Sequence, residues 1–281
     1  CFLRSGIKSY VGYESILELK GLDAIYIPLP NALHTYWIEK AIEKNINVLV
    51  EKSLACNYKE VKDLNEKAKN KKLVLVENFQ FRFHNQIEMI KRLVLENRIG
   101  QIRCIRSSFG FPPFKDANNI RYQKSLGGGA LLDAGAYPLK ISQIILGLDI
   151  EVLSSSLYYD KEKDIDVWGG AYLQQKQGPV FAQIAFGFDN YYQCNLEVWG
   201  SEGKLTANRV FTAPPGYSPI IKLETKKGSE LIEVDPCNHF EKMLLHFFDL
   251  IKAKKGLEPE YAQNINQSYL IKELKTKAIE R

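Results

Sequence analysis

Long apolar runs are missing from this sequence of 281 residues. No uninterrupted stretch approaches the ~18 residues a membrane helix needs, and no segment near the start reads as a signal peptide; no membrane partner is expected. Cysteine is sparse. Cys1, Cys56, Cys104, Cys194 and Cys237 are scattered, odd in number and include no CxxC pair. That argues against a disulfide framework and against a structural zinc site, so no metal is expected, and a reducing cytoplasm fits best. An excess of one charge is also lacking: the net charge is +5. Lys and Glu alternate along Glu60–Asp63 and Glu66–Lys69 as on solvated helix faces. There is no segregated basic stripe with interleaved aromatics, which argues against a nucleic-acid partner. A weakly basic surface still favours a substrate carrying phosphates. Neither internal repeats nor low-complexity segments occur.

What is present is a soluble, globular composition, 45% hydrophobic and 25% charged, long enough for two ordinary domains at about 150 residues each. Asp23–Ile27, Asn47–Glu51 and Leu73–Glu77 read as buried strands. Between them lie helical patterns over Leu33–Lys44, with Trp37, Ile38, Ala41 and Ile42 on one face, and from an N-cap at Asn57 through Val61, Leu64 and Ala68. Strand, helix, strand, helix, strand predicts a parallel, doubly wound sheet. In such sheets ligands bind beyond the carboxyl ends of the strands, here Pro28–Asn31, Glu51–Ser53 and Asn78–Phe79. Near residue 80 the pattern changes. Helices are expected over His84–Asn97, Gly129–Leu146, Phe240–Ala253 and Gln263–Lys277. Strands are expected over Gln101–Phe109, Val152–Tyr159, Val167–Leu173, Val180–Phe188, Gln193–Trp199 and Lys204–Ala207. Five of these strands follow one another without intervening helices, the mark of an antiparallel sheet open to solvent on one side. The expected fold is α/β: a truncated Rossmann-type parallel-sheet domain (residues 1–79), then an α+β domain with a large, mainly antiparallel sheet (residues 80–281), with a cleft between them.

Two segments carry chemistry. Val48–Ser53 delivers Glu51 and Lys52 to the carboxyl end of a buried strand. Lys52 is read either as a donor that stabilises developing alkoxide charge on a substrate oxygen, or as a strand-end lysine reaching water. Gly127–Tyr137, GGGALLDAGAY, combines three glycines that allow close backbone approach with a helix N-terminus suited to anions. Asp133 and Tyr137, four apart, share a helix face. Aimed at a lysine they would make a proton-delivery group, the ammonium lowering the tyrosine hydroxyl from its ordinary value near 10. The other reading is a glycine-rich turn and a helix packing an amphipathic tyrosine. His84 and His239 are read as helix-start packing or capping, and Tyr191, Tyr192 and Trp199 as sheet packing.

Residues 23–53 resemble the D-[AV]-[VI]-x-[IV]-x-x-P-N-x-x-H … E-K-P segment of the glucose-fructose oxidoreductase/inositol dehydrogenase/rhizopine-catabolism (Gfo/Idh/MocA) family. Gly127–Tyr137 resembles its G-G-G-x-L-x-D-x-G-x-[HY], and Ile120-Arg121 falls where many members have Trp-Arg. The similarity covers essentially the whole chain. It implies that Lys52 faces substrate and nicotinamide, and that Asp133 and Tyr137 complete the catalytic set, Tyr137 standing where inositol dehydrogenase-like members carry His. It implies that Pro30, Asn31, His34, Glu51 and Arg121 lie at the cofactor, beside the strand-end positions Pro28 and Asn78. Two departures stand out. Ser53 replaces the motif proline. The G-x-G-x-x-G loop that the family carries upstream is not here, so the chain, which opens on Cys1, is expected to be N-terminally truncated.

Asn78–His84, Phe111–Pro113, Asn119–Tyr122, Tyr137–Leu139, Phe211–Tyr217 and Asn238–Met243 narrow the resemblance to sugar-nucleotide 3-ketoreductases of deoxysugar biosynthesis. These reduce the C3 ketone of a dTDP-linked keto-deoxyhexose. The implied cofactor is NADP(H) in preference to NAD(H). The implied partners are a sugar or sugar-nucleotide substrate and a second copy of the chain, as a homodimer or homotetramer through the C-terminal sheet. The alternatives are a dehydrogenase of a free sugar or trans-diol, and a non-catalytic cofactor-binding regulator.

Overall fold

The computed structural model describes residues 8–280. After a short helix α1 (Tyr13–Leu17), strands β1 (Ala24–Ile27), β2 (Asn47–Glu51) and β3 (Leu75–Asn78) pair in parallel in the order β1-β2-β3. Helices α2 (Asn31–Glu43) and α3 (Tyr58–Asn70) make the crossovers. The Asn57 side chain caps α3 by accepting the Glu60 N–H at 3.0 Å. Ile38, Ala41 and Ile42 of α2 and Val61, Leu64 and Ala68 of α3 bury their faces against Val48, Leu49, Val50, Leu75 and Val76. Val48–Val50 and Leu75–Asn78 are buried without a break, so these strands are continuous runs rather than alternating ones.

A single 3-10 turn (Gln80–Phe83) leads into α4 (Asn85–Leu95) and the second sheet. That sheet has nine strands: β4 (Ile102–Gly110), β5 (Ile150–Asp160), β6 (Ile165–Gln175), β7 (Phe181–Gly187), β8 (Gln193–Gly200), β9 (Gly203–Asn208), β10 (Ile220–Thr225), β11 (Gly228–Glu233) and β12 (Ala278–Glu280), in the order β11-β10-β9-β8-β4-β7-β6-β5-β12. Most neighbours are antiparallel, but β4 pairs with β7, and β12 with β5, in parallel. One face packs its Ile105, Leu157, Leu173, Ile184, Phe186 and Leu196 into a core with α4, α5 (Ala136–Leu146) and α7 (Glu258–Lys277). The other carries the stacked Tyr158–Trp168 pair, 3.8 Å between ring centres, and the half-exposed Trp199 under the Arg106 guanidinium.

Three features differ from the sequence expectation. The β10–β11 hairpin was not anticipated, although Ile221 and Leu223 alternate with exposed residues. Helix α7 starts at Glu258, five residues before the expected Gln263, with a proline in its first turn. The helix expected over Gly129–Leu146 begins as a π-turn (Leu131–Gly135) before α5. The expected division at residue 79 is crossed by the chain's later helices. Helix α6 (His239–Ala253) and α7 cross back, and their Met243, Phe247, Leu257 and Tyr261 belong to the core of the three-stranded sheet.

Candidate active site

The carboxyl ends of β1 and β2 and the segment from Ile120 to Asp133 enclose a cleft of about 200 Å³. It is lined by Pro28, Leu29, Pro30, Asn31, Glu51, Lys52, Ile120, Arg121, Leu126, Gly127, Gly128, Gly129 and Asp133. Lys52 leaves β2 at the strand end, and the Lys52–Ser53 peptide is cis. Its ammonium donates to the Asp133 carboxylate and, at 3.1 Å, to the Asp133 carbonyl. Arg121 Nε donates to the second carboxylate oxygen at 2.6 Å. Burial would discharge each of the first two groups, but their mutual attraction wins. Lys52 is held above the ordinary lysine range by Asp133 and Tyr137, and Asp133 below the ordinary carboxylate range by Lys52 and Arg121.

The π-turn inserts one extra residue per turn. It leaves Asp133 and Tyr137 on the same side, so that the Lys52 Nζ lies 5.3 Å from the centre of the Tyr137 ring. Phe79, Phe81, Phe109 and Phe211 wedge that ring on its other sides. In this apolar box the hydroxyl is not lowered as the sequence suggested. Burial raises it above the ordinary tyrosine range, and Lys52 opposes that only in part. Tyr137 therefore rests as a neutral acid.

Three expectations for the glycine segment and its surroundings take a different form. The close approaches are to the protein itself. A Cβ on Gly127 (φ 76°) would lie 2.7 Å from Cys56 Sγ, and one on Gly129 (φ 113°) would lie 2.4 Å from Asp166 Oδ1. The helix start is already occupied by a carboxyl group of the chain, since Asp166 Oδ2 on β6 accepts the Leu131 N–H at 2.5 Å. His34 is fully buried and does not line the cleft. Its Nδ1 lies 2.8 Å from Ser53 O and its Nε2 2.7 Å from Leu29 O, so it ties the loops after β1 and β2 together.

Asn31 does line the cleft and also braces it, donating to Gly127 O at 2.9 Å and accepting the Ser53 N–H at 3.1 Å. Asn78 is buried away from the cleft and holds Glu51 by a 2.7 Å hydrogen bond. Tyr26, which sequence reasoning missed, donates to the same Glu51 oxygen. The parallel register offered the signal, since Tyr26 lies beside Leu49, two residues before Glu51. His84 caps α4, its Nδ1 accepting the Gln86 N–H at 3.2 Å.

Two family models cover most of the chain: an oxidoreductase-family NAD-binding Rossmann fold over residues 3–79, and a GFO/IDH/MocA C-terminal domain over residues 87–206. The sequence is 35% identical over 275 residues to a dTDP-3,4-didehydro-2,6-dideoxy-alpha-D-glucose 3-reductase of Actinomadura kijaniata, covering 98% of this chain and 82% of that protein. The chain belongs to the Gfo/Idh/MocA oxidoreductase family. A reductase with the same description from Streptomyces violaceoruber is 37% identical over 225 residues, 80% of this chain and 66% of that one. The crystal structure of a 3-ketoreductase from Actinomadura kijaniata with NADP and TDP-benzene superposes with a TM-score of 0.91 at 34% identity, covering 96% of this chain and 82% of that one. Membership makes this chain an oxidoreductase with a Rossmann-type nucleotide-binding domain. Among the described residues no helix is long and apolar enough to cross a membrane.

Proposed function

We propose that this protein reduces the C3 ketone of a dTDP-linked 3,4-diketo-2,6-dideoxyhexose with NADPH. The observation that carries the reading is the charged set Lys52–Asp133–Arg121 lining one cleft with Tyr137 packed behind it. The cleft lies at strand carboxyl ends, where this class of sheet binds nucleotides. Its volume suits the nicotinamide end of a dinucleotide rather than the whole molecule. Pro28, Pro30, Asn31, Glu51 and Arg121 would hold that end, with Asn78, Tyr26 and His34 acting through the loops and side chains they brace. The bound cofactor supplies the hydride.

The chain's own residues do the rest. Lys52, kept cationic by Asp133, donates to the ketone oxygen and stabilises the negative charge that develops there. Tyr137, neutral at rest, delivers the proton that converts alkoxide to alcohol. Asp133 fixes the lysine and Arg121 fixes Asp133. An acid that holds its proton at neutral pH suits the reductive direction.

The exposed aromatic face of the nine-stranded sheet, with Tyr158, Trp168 and Trp199, is where a second copy would dock. Free cysteines at positions 56, 104, 194 and 237 suit a reducing cytoplasm. The deciding experiment follows NADPH oxidation with the dTDP-linked diketo sugar and, in parallel, with the NADP-coupled oxidation of free xylose and a trans-diol. Turnover of the nucleotide sugar alone supports the proposal. Turnover confined to the free sugar or diol overturns it, as does tight cofactor binding with no turnover of any of the three.

A further inference from the structure

Away from the cleft, the start of α4 and the start of α6 meet at a cluster that the reduction does not use. One ring nitrogen each of His84 and His239, and the Cys237 sulfur, lie within 4.8 Å of one another. His84 and His239 are 1% and 3% exposed. His84 Nε2 and His239 Nδ1 are buried with no hydrogen-bond partner. A buried nitrogen left unpaired is costly and calls for a reason. Two of them, beside a thiol, share one that hydrogen bonding within the chain does not supply.

We propose that His84, Cys237 and His239 form a binding site for a zinc ion. Imidazole and thiolate are the donors that zinc prefers. Zinc–nitrogen and zinc–sulfur bonds of about 2.0–2.3 Å place tetrahedral donors roughly 3.3–3.8 Å apart. The three groups therefore close by about an ångström on binding. The connection that carries Cys237 and leads into His239, Val234–Asn238, is irregular between β11 and α6 and can make that move. Cys237 is half-buried, and a water from solvent would serve as the fourth ligand.

The Cys237 side of the cluster already has a supporting contact, and the His84 side has to change one. The Asn85 N–H donates to Cys237 Sγ at 3.4 Å, the kind of bond that steadies a metal-bound thiolate. The Gln86 N–H donates to His84 Nδ1 at 3.2 Å, which places the proton of the neutral ring on Nε2. Binding through Nε2 moves that proton to Nδ1 and exchanges the cap for a metal–nitrogen bond. The thiol S–H bond breaks as the sulfur–zinc bond forms, and its proton goes to solvent, one per ion. No oxidant or reductant takes part. Spacing rules could not find this set, because His84 stands 153 positions before Cys237, and the expectation of no metal site rested on the number and spacing of the cysteines.

The full chain, freed of metal with a chelator, is titrated with Zn(II) and separately with Co(II). The expected result is one equivalent bound, one proton released per ion, a thiolate-to-cobalt charge-transfer band, and a melting temperature raised by zinc. Cys237→Ser and His239→Gln should abolish the band and weaken zinc by more than the roughly 10–100-fold that loss of a supporting hydrogen bond costs. Cys56→Ser should keep it. Cys237→Ser stays informative if a histidine variant fails to fold, because the half-buried thiol can be replaced with little loss of packing. Cobalt bound without a thiolate band, equal zinc affinity in Cys237→Ser, or no zinc retained against a weak competing chelator would each overturn the site.

Discussion

Lys52 and Arg121 grip opposite oxygens of one carboxylate, that of Asp133, from opposite walls of the cleft. Lys52, the proposed donor to the ketone oxygen, is thus held in its charged form by a partner that the other cation keeps in place. Each member of such a set is worth more with the others present than alone.

Replacing Lys52 with Met removes the donor to the developing alkoxide and leaves Asp133 with Arg121 only. Turnover should fall by roughly 10²–10³-fold, as when one oxyanion donor is lost, while NADPH affinity changes far less. Single-turnover reduction beside a fluorescence titration checks both. Equal losses in the two would mean that Lys52 serves cofactor binding instead.

For Tyr137→Phe the ring contacts with Phe79, Phe81, Phe109 and Phe211 survive, so the melting temperature should hold. Turnover should drop by about 10²–10⁴-fold, the range for a positioned general acid. Because burial raises the hydroxyl above its ordinary range, the alkaline limb of the wild-type rate profile should lie above pH ~10, the reference value for tyrosine. A limb well below that would contradict the assignment.

Glu260 ties α7 to the start of the second domain. It accepts Arg82 NH1 at 3.0 Å and NH2 at 2.7 Å, with His246 Nε2 at 3.0 Å. Burial alone would raise its carboxyl, yet Arg82 and His246 overcome that and hold it far below the ordinary range. A depressed folded-state value means that the stabilisation is full above the unfolded value, ~4.3, and is lost as pH falls below it. Glu260→Gln should cost about 3–5 kcal/mol at neutral pH by leaving Arg82 unpaired. Below pH ~4 the difference from wild type should shrink, which melting curves across pH will show.

Gly129→Ala places a methyl group 2.4 Å from Asp166 Oδ1 at φ 113°. The expected loss is about 1–3 kcal/mol, together with weaker cofactor binding, because Asp166 fixes the helix start that carries Asp133. Urea unfolding of the variant measures the first effect. An unchanged midpoint would show that the segment tolerates a side chain.

Much of this was legible in the residues. Buried strands without alternation, an Asn57 cap and three ordered motifs indicated the parallel sheet, the second sheet and the Lys52–Asp133–Tyr137 set. The start of α7 was obscured because its buried face is polar. Glu260, Asn264 and Gln267 are held by hydrogen bonds rather than by apolar contact, so hydrophobic periodicity has nothing to register. The state of Tyr137 was misjudged for a related reason. The motifs bring a lysine to the tyrosine, but the four phenylalanines that dry the site come from distant positions. His34 and Asn78 match motif positions, yet only the packing shows that they brace loops and side chains instead of facing the cleft.

Tyr261 donates to Leu73 O at 2.5 Å, and Asn264 to Leu75 O at 3.0 Å, the donors standing 188 and 189 residues further along the chain, so the strand is sealed by a helix made long after it. Domains generally fold as units while the chain emerges from the ribosome. Here the first sheet must wait, its Val74–Val76 edge open, until α7 has emerged. A chain stalled or clipped before α7 would therefore lose the support of its nucleotide half as well as the helix itself.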